Sequence, residues 1–450
     1  MADRADAIRL DRRSFLRAAG VAGTVMAAGG VTAACSSGLQ GGDNGGGGGG
    51  GGGNTIKIGY VSPGTGSLAP FGEADDFVIG SIQQYFSQNP IQVGGQSYQV
   101  EVLKRDSQSD SNRAADVAAD LIQNNGIHMM LVSSTPDTSN PVSDQCEANG
   151  MPCVATVTPW QPWFFGRGGK QGSKFNWTFN FFWGLEDVEA VYADMWDQVA
   201  TNKKAGALWP NDPDGLAWGD PNTGFGPAEQ QRGYSIVDPG NYPNGTQDFS
   251  AQIAQFKTGQ ADILLGVPIP PDFTIFWKQA LQQGYRPKLA TVAKAILFPS
   301  AVEALGKDGI NLATEVWWSP SHPFTSSLTK QTAQQLADAY TDQTKKQWTQ
   351  PIGFAHALFE VAAKAFSSVQ SIDDKQGLAT AISTMKLDTV VGPLDWTAGP
   401  VPNVAKTPVV GGQWRAGKQF PYDLTIVSNT RATNIPVAGK VEPLGAAAAG

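Results

Sequence analysis

Residues 111–138 read SNRAADVAADLIQNNGIHMMLVSSTPDT, a helix, a strand and the opening of a second helix in one line. The first helix starts after a capping Asp110 or Ser111 and stops at Asn125-Gly126, as helices do. IHMMLVSS is an apolar strand, and Ser133, Ser134 and Thr135 stand where it hands over to the next helix. Strands separated by helices of ten to fifteen residues pack as a parallel sheet with helices on both faces.

The same alternation extends outward. TIKIGYVSP is a strand, EADDFVIGSIQQYFSQ has Phe77, Val78, Ile82, Tyr85 and Phe86 at helical spacing, and YQVEVLKRD alternates as a strand. Downstream, NPVSDQCEANG reads as a short helix and PCVATVT as a strand. The aromatic-rich residues 159–184, PWQPWFFGRGGKQGSKFNWTFNFFWG, break the pattern. It restarts with a helix over 185–199. The strands KAGALWP, YSIVDPG, ADILLGVPI and KLATVA then alternate with helices, making a second α/β domain of similar size. ATEVWWSP is the last strand before a helical stretch over 326–385, too long for the second domain's last unit, so the chain is expected to cross back to the first. Short strands follow. Within them GQWRAGK has the spacing of a phosphate loop, but Gln419 replaces the Ser or Thr, and a strand follows instead of a helix; it reads as a hairpin turn.

Ahead of this body, DRRSFLRAAG and an Ala/Gly-rich apolar run form an export signal, with Arg12-Arg13 of the twin-arginine kind. VTAAC (31–35) is similar to a bacterial lipobox, with Thr32 where Leu is usual, so Cys35 is the expected lipidation site of a mature chain anchored outside the cytoplasm. Residues 35–54, with nine consecutive glycines from Gly45 to Gly53, form a linker; some twenty residues of this type span about 25 Å.

The chain carries 32 Lys and Arg against 40 Asp and Glu; residues 1–34 hold five Arg and three Asp, which leaves the remainder near −10. An acidic chain without a basic cluster argues against nucleic-acid binding. Cys146 and Cys153 are either a disulfide, which export permits and which is the expectation here, or two buried free thiols. No His lies near them for a zinc site, and no metal or cofactor is expected. His128 reads as a buried strand residue, His322 as part of a turn and His356 as helix packing. HExxH, GxSxG and CxxC are all missing from the 450 residues, so nothing supports an enzyme. Asp212 and Asp214 in WPNDPDG read as solvated loop carboxylates.

IKIGYVSPGTGSLAPFGEADDFVIGSI, VEVLKRDSQSDSNRAADVAADLI, LVSSTPDTSNPVSDQCEANGMPCVAT and QDFSAQIAQFKTGQADILL, in that order, resemble the solute-binding proteins of ABC importers, in the branch named for branched-chain amino acids and amides. The resemblance covers most of 55–395 and implies a type I periplasmic binding fold: two doubly wound parallel-sheet lobes joined by three hinge crossovers, closing on ligand. The expected division is 1–34 signal, 35–54 linker, 55–178 with 318–393 as the first lobe, 179–317 with 394–435 as the second, and 436–450 as a flexible tail.

Ligands of open α/β sheets sit beyond the carboxyl ends of the strands, where helix N-termini offer N–H groups and positive dipole. Ser133, Ser134 and Thr135 lie at such a junction and suit a carboxylate, with simple N-capping as the alternative. The resemblance further implies Phe71, Thr158, Trp160 and Trp218 near the ligand, although each tryptophan serves equally well as core. Amino-acid binders of the family pair the ligand ammonium with a second-lobe carboxylate. Here TVAKAIL places Lys294 there, which favours an organic acid or an amide over leucine. The implied function is capture of a small solute and delivery to a membrane permease by a monomer. A tethered sensor, or a hydrolase on the same fold, is the alternative.

Overall fold

The computed structural model describes residues 54–445. The signal, Cys35, nearly all of the glycine linker and residues 446–450 lie outside them.

The chain opens with β1 (Thr55–Ser62), α1 (Asp75–Gln88), β2 (Ile91–Val93), β3 (Gln96–Asp106), α2 (Ser111–Asn124), β4 (Met129–Ser133), α3 (Pro136–Ala148), β5 (Cys153–Thr156), α4 (Trp160–Phe164) and β6 (Thr178–Phe181). It continues with α5 (Leu185–Trp196), β7 (Lys204–Leu208), α6 (Pro213–Trp218), α7 (Phe225–Gln230), β8 (Ser235–Val237), α8 (Ser250–Thr258), β9 (Ile263–Gly266), α9 (Pro270–Gln282), β10 (Leu289–Val292), α10 (Pro299–Glu303) and β11 (Ala313–Val316). The last part holds α11 (Ala333–Thr344), α12 (Pro351–Phe366), α13 (Lys375–Ser383), β12 (Lys386–Thr389), β13 (Gly392–Asp395), β14 (Val404–Ala405), β15 (Val410–Ala416) and β16 (Tyr422–Ser428).

Two seven-stranded sheets result, in the orders β14-β6-β5-β4-β1-β3-β2 and β16-β15-β11-β10-β9-β7-β8. Each is parallel through its middle. Antiparallel partners close one edge of each: β2 in the first sheet, the β15–β16 hairpin in the second. GQWRAGK is not itself the turn: Gly412–Ala416 are paired strand in β15, and only Gly417 and Lys418 enter the turn to β16. These are the two doubly wound lobes expected from the alternation.

Local chemistry accounts for the elements. The Asp110 carboxylate accepts the Arg113 N–H at 2.7 Å and caps α2, whose Ala114, Val117, Ala118 and Leu121 form one buried stripe. α12 is buried on nearly every side, as a helix apolar all round must be, and packs against α1, β4 and β5. Each large side chain it buries, such as Phe354, Leu358 and Phe359, contributes about 1.5–3 kcal/mol of hydrophobic stabilisation. The helical return over 326–385 is thus three helices that complete the first lobe.

Several boundaries differ from expectation. Strand β6 belongs to the first sheet, so the first crossing falls at residues 182–184 and not at 178/179; NWTFNFFWG is continuous aromatic strand and crossing, with no polar break to mark the point. β14 pairs parallel with β6 (Val404↔Asn180, Ala405↔Phe181), so the third crossing follows residue 405 instead of 393. Residues 438–444 are not a free tail. The Gln413 amide donates to the Glu442 carbonyl and accepts its N–H, Arg415 pairs with the Glu442 carboxylate, and Leu444 N–H reaches Lys288. Cys146 and Cys153 are free thiols, both fully buried at the end of α3 and the start of β5. Burial first, and then the neighbouring Cys153, push the Cys146 thiol well above its ordinary pKa.

Candidate functional site

The carboxyl ends of both sheets face one cleft. Phe71, Thr135, Val157 and Pro159 line it from the first lobe; Phe182, Trp183 and Trp317 line it at the crossings; Asp214, Trp218, Val267, Ala293, Lys294, Leu297 and Glu315 line it from the second lobe. The lobes are closed on each other. Phe71 meets Phe298 edge-on at 4.7 Å, and the remaining cavity is ≈ 30 Å³, room for a water or two. A wider groove of ≈ 460 Å³ lies beside α13 and β14, away from the strand ends. The cleft is the stronger candidate because buried, unpaired polar atoms collect there. They are Asp214 Oδ1 and the indole nitrogens of Trp183, Trp218 and Trp317; among the described residues, none belongs to the groove.

Its electrostatic centre is Lys294, 3% exposed, two residues past β10. Its Nζ lies 2.8 Å from Asp212 Oδ2, 3.0 Å from Asp214 Oδ2 and 3.5 Å from Asp137 Oδ2. The first two are neighbours in its own lobe. Asp137 sits in the first turn of α3, in the other lobe. Burial alone would lower the Lys294 pKa, but the three carboxylates hold it well above the ordinary lysine value. Burial works against Asp212 as well, yet Lys294 and the Gly215 N–H keep its pKa below the usual range. Asp214 is pushed up to about 7, by burial first, with only partial relief from Lys294. Glu315 is also raised to about 7 by burial, although Tyr192 and Thr314 donate to its carboxylate.

A repeated local motif builds this centre. Thr135-Pro136-Asp137 opens α3 and Asp212-Pro213-Asp214 opens α6; in each, a cap residue precedes Pro at the first position and Asp at the second. Pro fits there because its missing N–H would have no partner, and Asp complements the helix dipole. Past the strand ends, Val157 (φ 62°) and Lys294 (φ 62°) both adopt the left-handed conformation. For a β-branched residue this is unusual, and such strain is found where a site demands it.

Of the eight residues expected at the ligand, the cleft brings together Phe71, Thr135, Trp218 and Lys294. The others lie elsewhere. The Ser134 hydroxyl accepts from Thr138 Oγ1 at 2.6 Å, and its carbonyl accepts from Ser139 Oγ, so it is spent on the first turn of α3. Ser133 and Thr158 are fully buried outside the cavity lining, with hydroxyls that have no partner. Trp160 turns away to the first crossing, where its indole donates to Glu186. Asp212 and Asp214 are not solvated loop carboxylates but buried partners of Lys294. The reading of Lys294 as a cation without an acid beside it is therefore overturned, and with it the preference for an acidic ligand. The histidines lie apart from the cleft, His322 bonded to Ser319 and His356 to Ser326.

Asp137, Asp214, Glu315, Trp183 and Trp317 were missed. The repeated cap-Pro-Asp motif was the signal for the two aspartates; for Glu315 and the tryptophans, only the third dimension places them.

Solved structures share this architecture. The leucine-binding protein LivK of Thermotoga maritima aligns at 19% identity over 84% of this chain and 99% of its own, with a TM-score of 0.69. LivJ of Streptococcus pneumoniae, in complex with isoleucine, aligns at 15% identity over 83% and 99%, TM-score 0.66. A solute-binding protein from R. palustris in complex with 4-hydroxybenzoate aligns at 15% identity over 83% and 96%, TM-score 0.66. No curated protein sequence matches the chain. The family model described as periplasmic binding protein matches residues 55–419, from the first strand through the hairpin turn that ends β15. With two doubly wound lobes closing on one cleft, the chain belongs to the periplasmic binding protein family and has the fold of its leucine-binding members.

Proposed function

We propose that this protein captures a small organic solute between its lobes and delivers it to an ABC importer in the membrane. The observation that carries this reading is the cleft itself: buried, ringed by aromatics, and holding unpaired donors and an unpaired acceptor that a solute would satisfy. Structures of the same fold are bound to isoleucine and to 4-hydroxybenzoate, so the scaffold accommodates chemically different solutes. A solute that binds only the closed lobes stabilises the protein by RT ln(1 + [L]/Kd), about 2.7 kcal/mol at a hundredfold excess over Kd. A thermal-shift screen of small solutes is expected to give at least one clear rise in Tm; a featureless screen across amines, amino acids, amides and acids would sink the reading.

The reading includes export and a lipid on Cys35, which place the trap at the membrane where a permease works. No described helix is long and apolar enough to cross a membrane. Intact-mass measurement of the mature protein should show a chain starting at Cys35 with a diacylglyceryl addition. An unmodified Cys35 refutes the anchor.

A further inference from the structure

We propose that the solute is an organic cation, a protonated amine without a free carboxylate. This rests on the solute-binding reading above and narrows it by charge.

Two places in such a cleft would welcome a carboxylate, and both already face acid. Lys294 donates to Asp212 at 2.8 Å, and its ammonium stands 3.0 Å from Asp214 and 3.5 Å from Asp137. An anionic solute approaching that ammonium would meet three carboxylates already gathered around it. The start of α3 is partly committed, with the N–H groups of Thr135 and Asp137 left open beside the Asp137 carboxylate. Pro136 has no N–H, the N–H groups of Thr138 and Ser139 bond the Thr135 carbonyl, and the N–H of Ser134 bonds the Thr156 carbonyl. The Thr135 hydroxyl donates to Asp137, whose own carboxylate already supplies the negative charge that a helix start attracts.

Charge and shape favour the opposite sign. One ammonium faces three carboxylates, and Glu315 stands in the same wall, so the cleft carries an excess of acid. Asp214 Oδ1 is buried and has no donor, which leaves one strong acceptor waiting for an N–H. Beside it lie the rings of Trp218, Trp183 and Trp317, and aromatic faces attract cations, most strongly once water is excluded. The unpaired indole N–H groups call for acceptor oxygens. Hydroxyl, ether or amide oxygens would serve; a carboxylate would also serve, but only by adding another negative charge to a cleft already in excess.

Calorimetry on the mature chain with matched trios tests the charge alone: 2-phenylethylamine, phenylalanine and 3-phenylpropionate; 3-methylbutylamine, leucine and 4-methylpentanoate. A thermal-shift panel divided into the same three charge classes widens the choice of body. The amine of a pair is expected to bind at least tenfold more tightly than its amino acid, with no binding of the acid. Asp214→Asn should weaken the amine at least tenfold while the near-UV spectrum of the tryptophans stays native. Amino acid or acid binding as tightly as the amine overturns the proposal and leaves solute binding standing. An absence of binding in all three classes overturns both.

Discussion

Replacing Lys294 by Met is expected to cost about 3–5 kcal/mol of stability at pH 7.5, seen as a fall in Tm of at least about 5 °C. The side chain is similar in length, so the loss is of charge and not of bulk. It strands Asp212 and Asp214, both buried, and removes the one ammonium that ties them to Asp137 across the cleft. Removing one partner of a buried ion pair costs more than the pair contributes, because the remaining charges have neither water nor a counter-ion. The pH dependence has a definite sign. Asp214 already has a raised folded pKa, about 7, so between about pH 4 and that value its folded carboxyl holds a proton that the unfolded chain releases. Without Lys294 that pKa rises further, and the deficit of K294M should shrink as pH falls from 7.5 to 5 and the carboxyls protonate. K294M/D214N should recover part of the loss at pH 7.5. A K294M variant within 1 kcal/mol of wild type at pH 7.5 would contradict the view of Lys294 as the counter-ion of the cluster.

The opposite outcome is expected for Glu229→Gln. Glu229, on α7, is 0% exposed, and both its carboxylate oxygens lack partners; Glu189, on α5, is buried nearby with one unpaired oxygen. Burial pushes Glu229 up to about 7, with Arg232 giving some relief and Asp197 and Asp194 adding to the rise. Glu189 is pushed up to about 8, by burial first and then by the charge of Glu229. A carboxyl whose folded pKa exceeds its unfolded value loses stability as pH climbs between the two. Here that window runs from about 4.5 to about 7, and the full penalty for Glu229 alone, about 3 kcal/mol, is present above it. Gln carries no charge, so E229Q should be about 2–3 kcal/mol more stable than wild type at pH 8 and close to it at pH 5. Thermal or denaturant unfolding at the two pH values checks this, and a gap that does not change with pH would rule out ionisation of Glu229 as the cause.

The two sites show what a sequence reveals and what it conceals. Alternation of strands and helices is a local pattern repeated many times, so the two lobes were legible from residues such as 111–138 alone. The crossings were not, because Phe179, Phe181, Phe182 and Trp183 are apolar on both sides of the point where the sheet ends. In the cleft, Thr135 was legible because it sits where a strand end meets a helix start. Asp214 was misread because Pro and Gly beside it signal a loop, while its burial depends on Lys294, some eighty residues away. Pairing of that kind has no local signature. Only the recurrence of a cap residue, Pro and Asp in both lobes hinted that the two aspartates meet one partner.

The parallel pairing of β14 with β6 has a mechanical consequence. Two of the three connections leave the first lobe side by side, in the same direction, and Lys406 on one grips Glu186 and Asp187 on the other. Two straps fastened together resist twisting and sliding far better than they resist folding over. The lobes are thereby steered to swing open like a book on its spine, along a line set by backbone and one lysine, so that each closing returns Asp137 to the same ammonium.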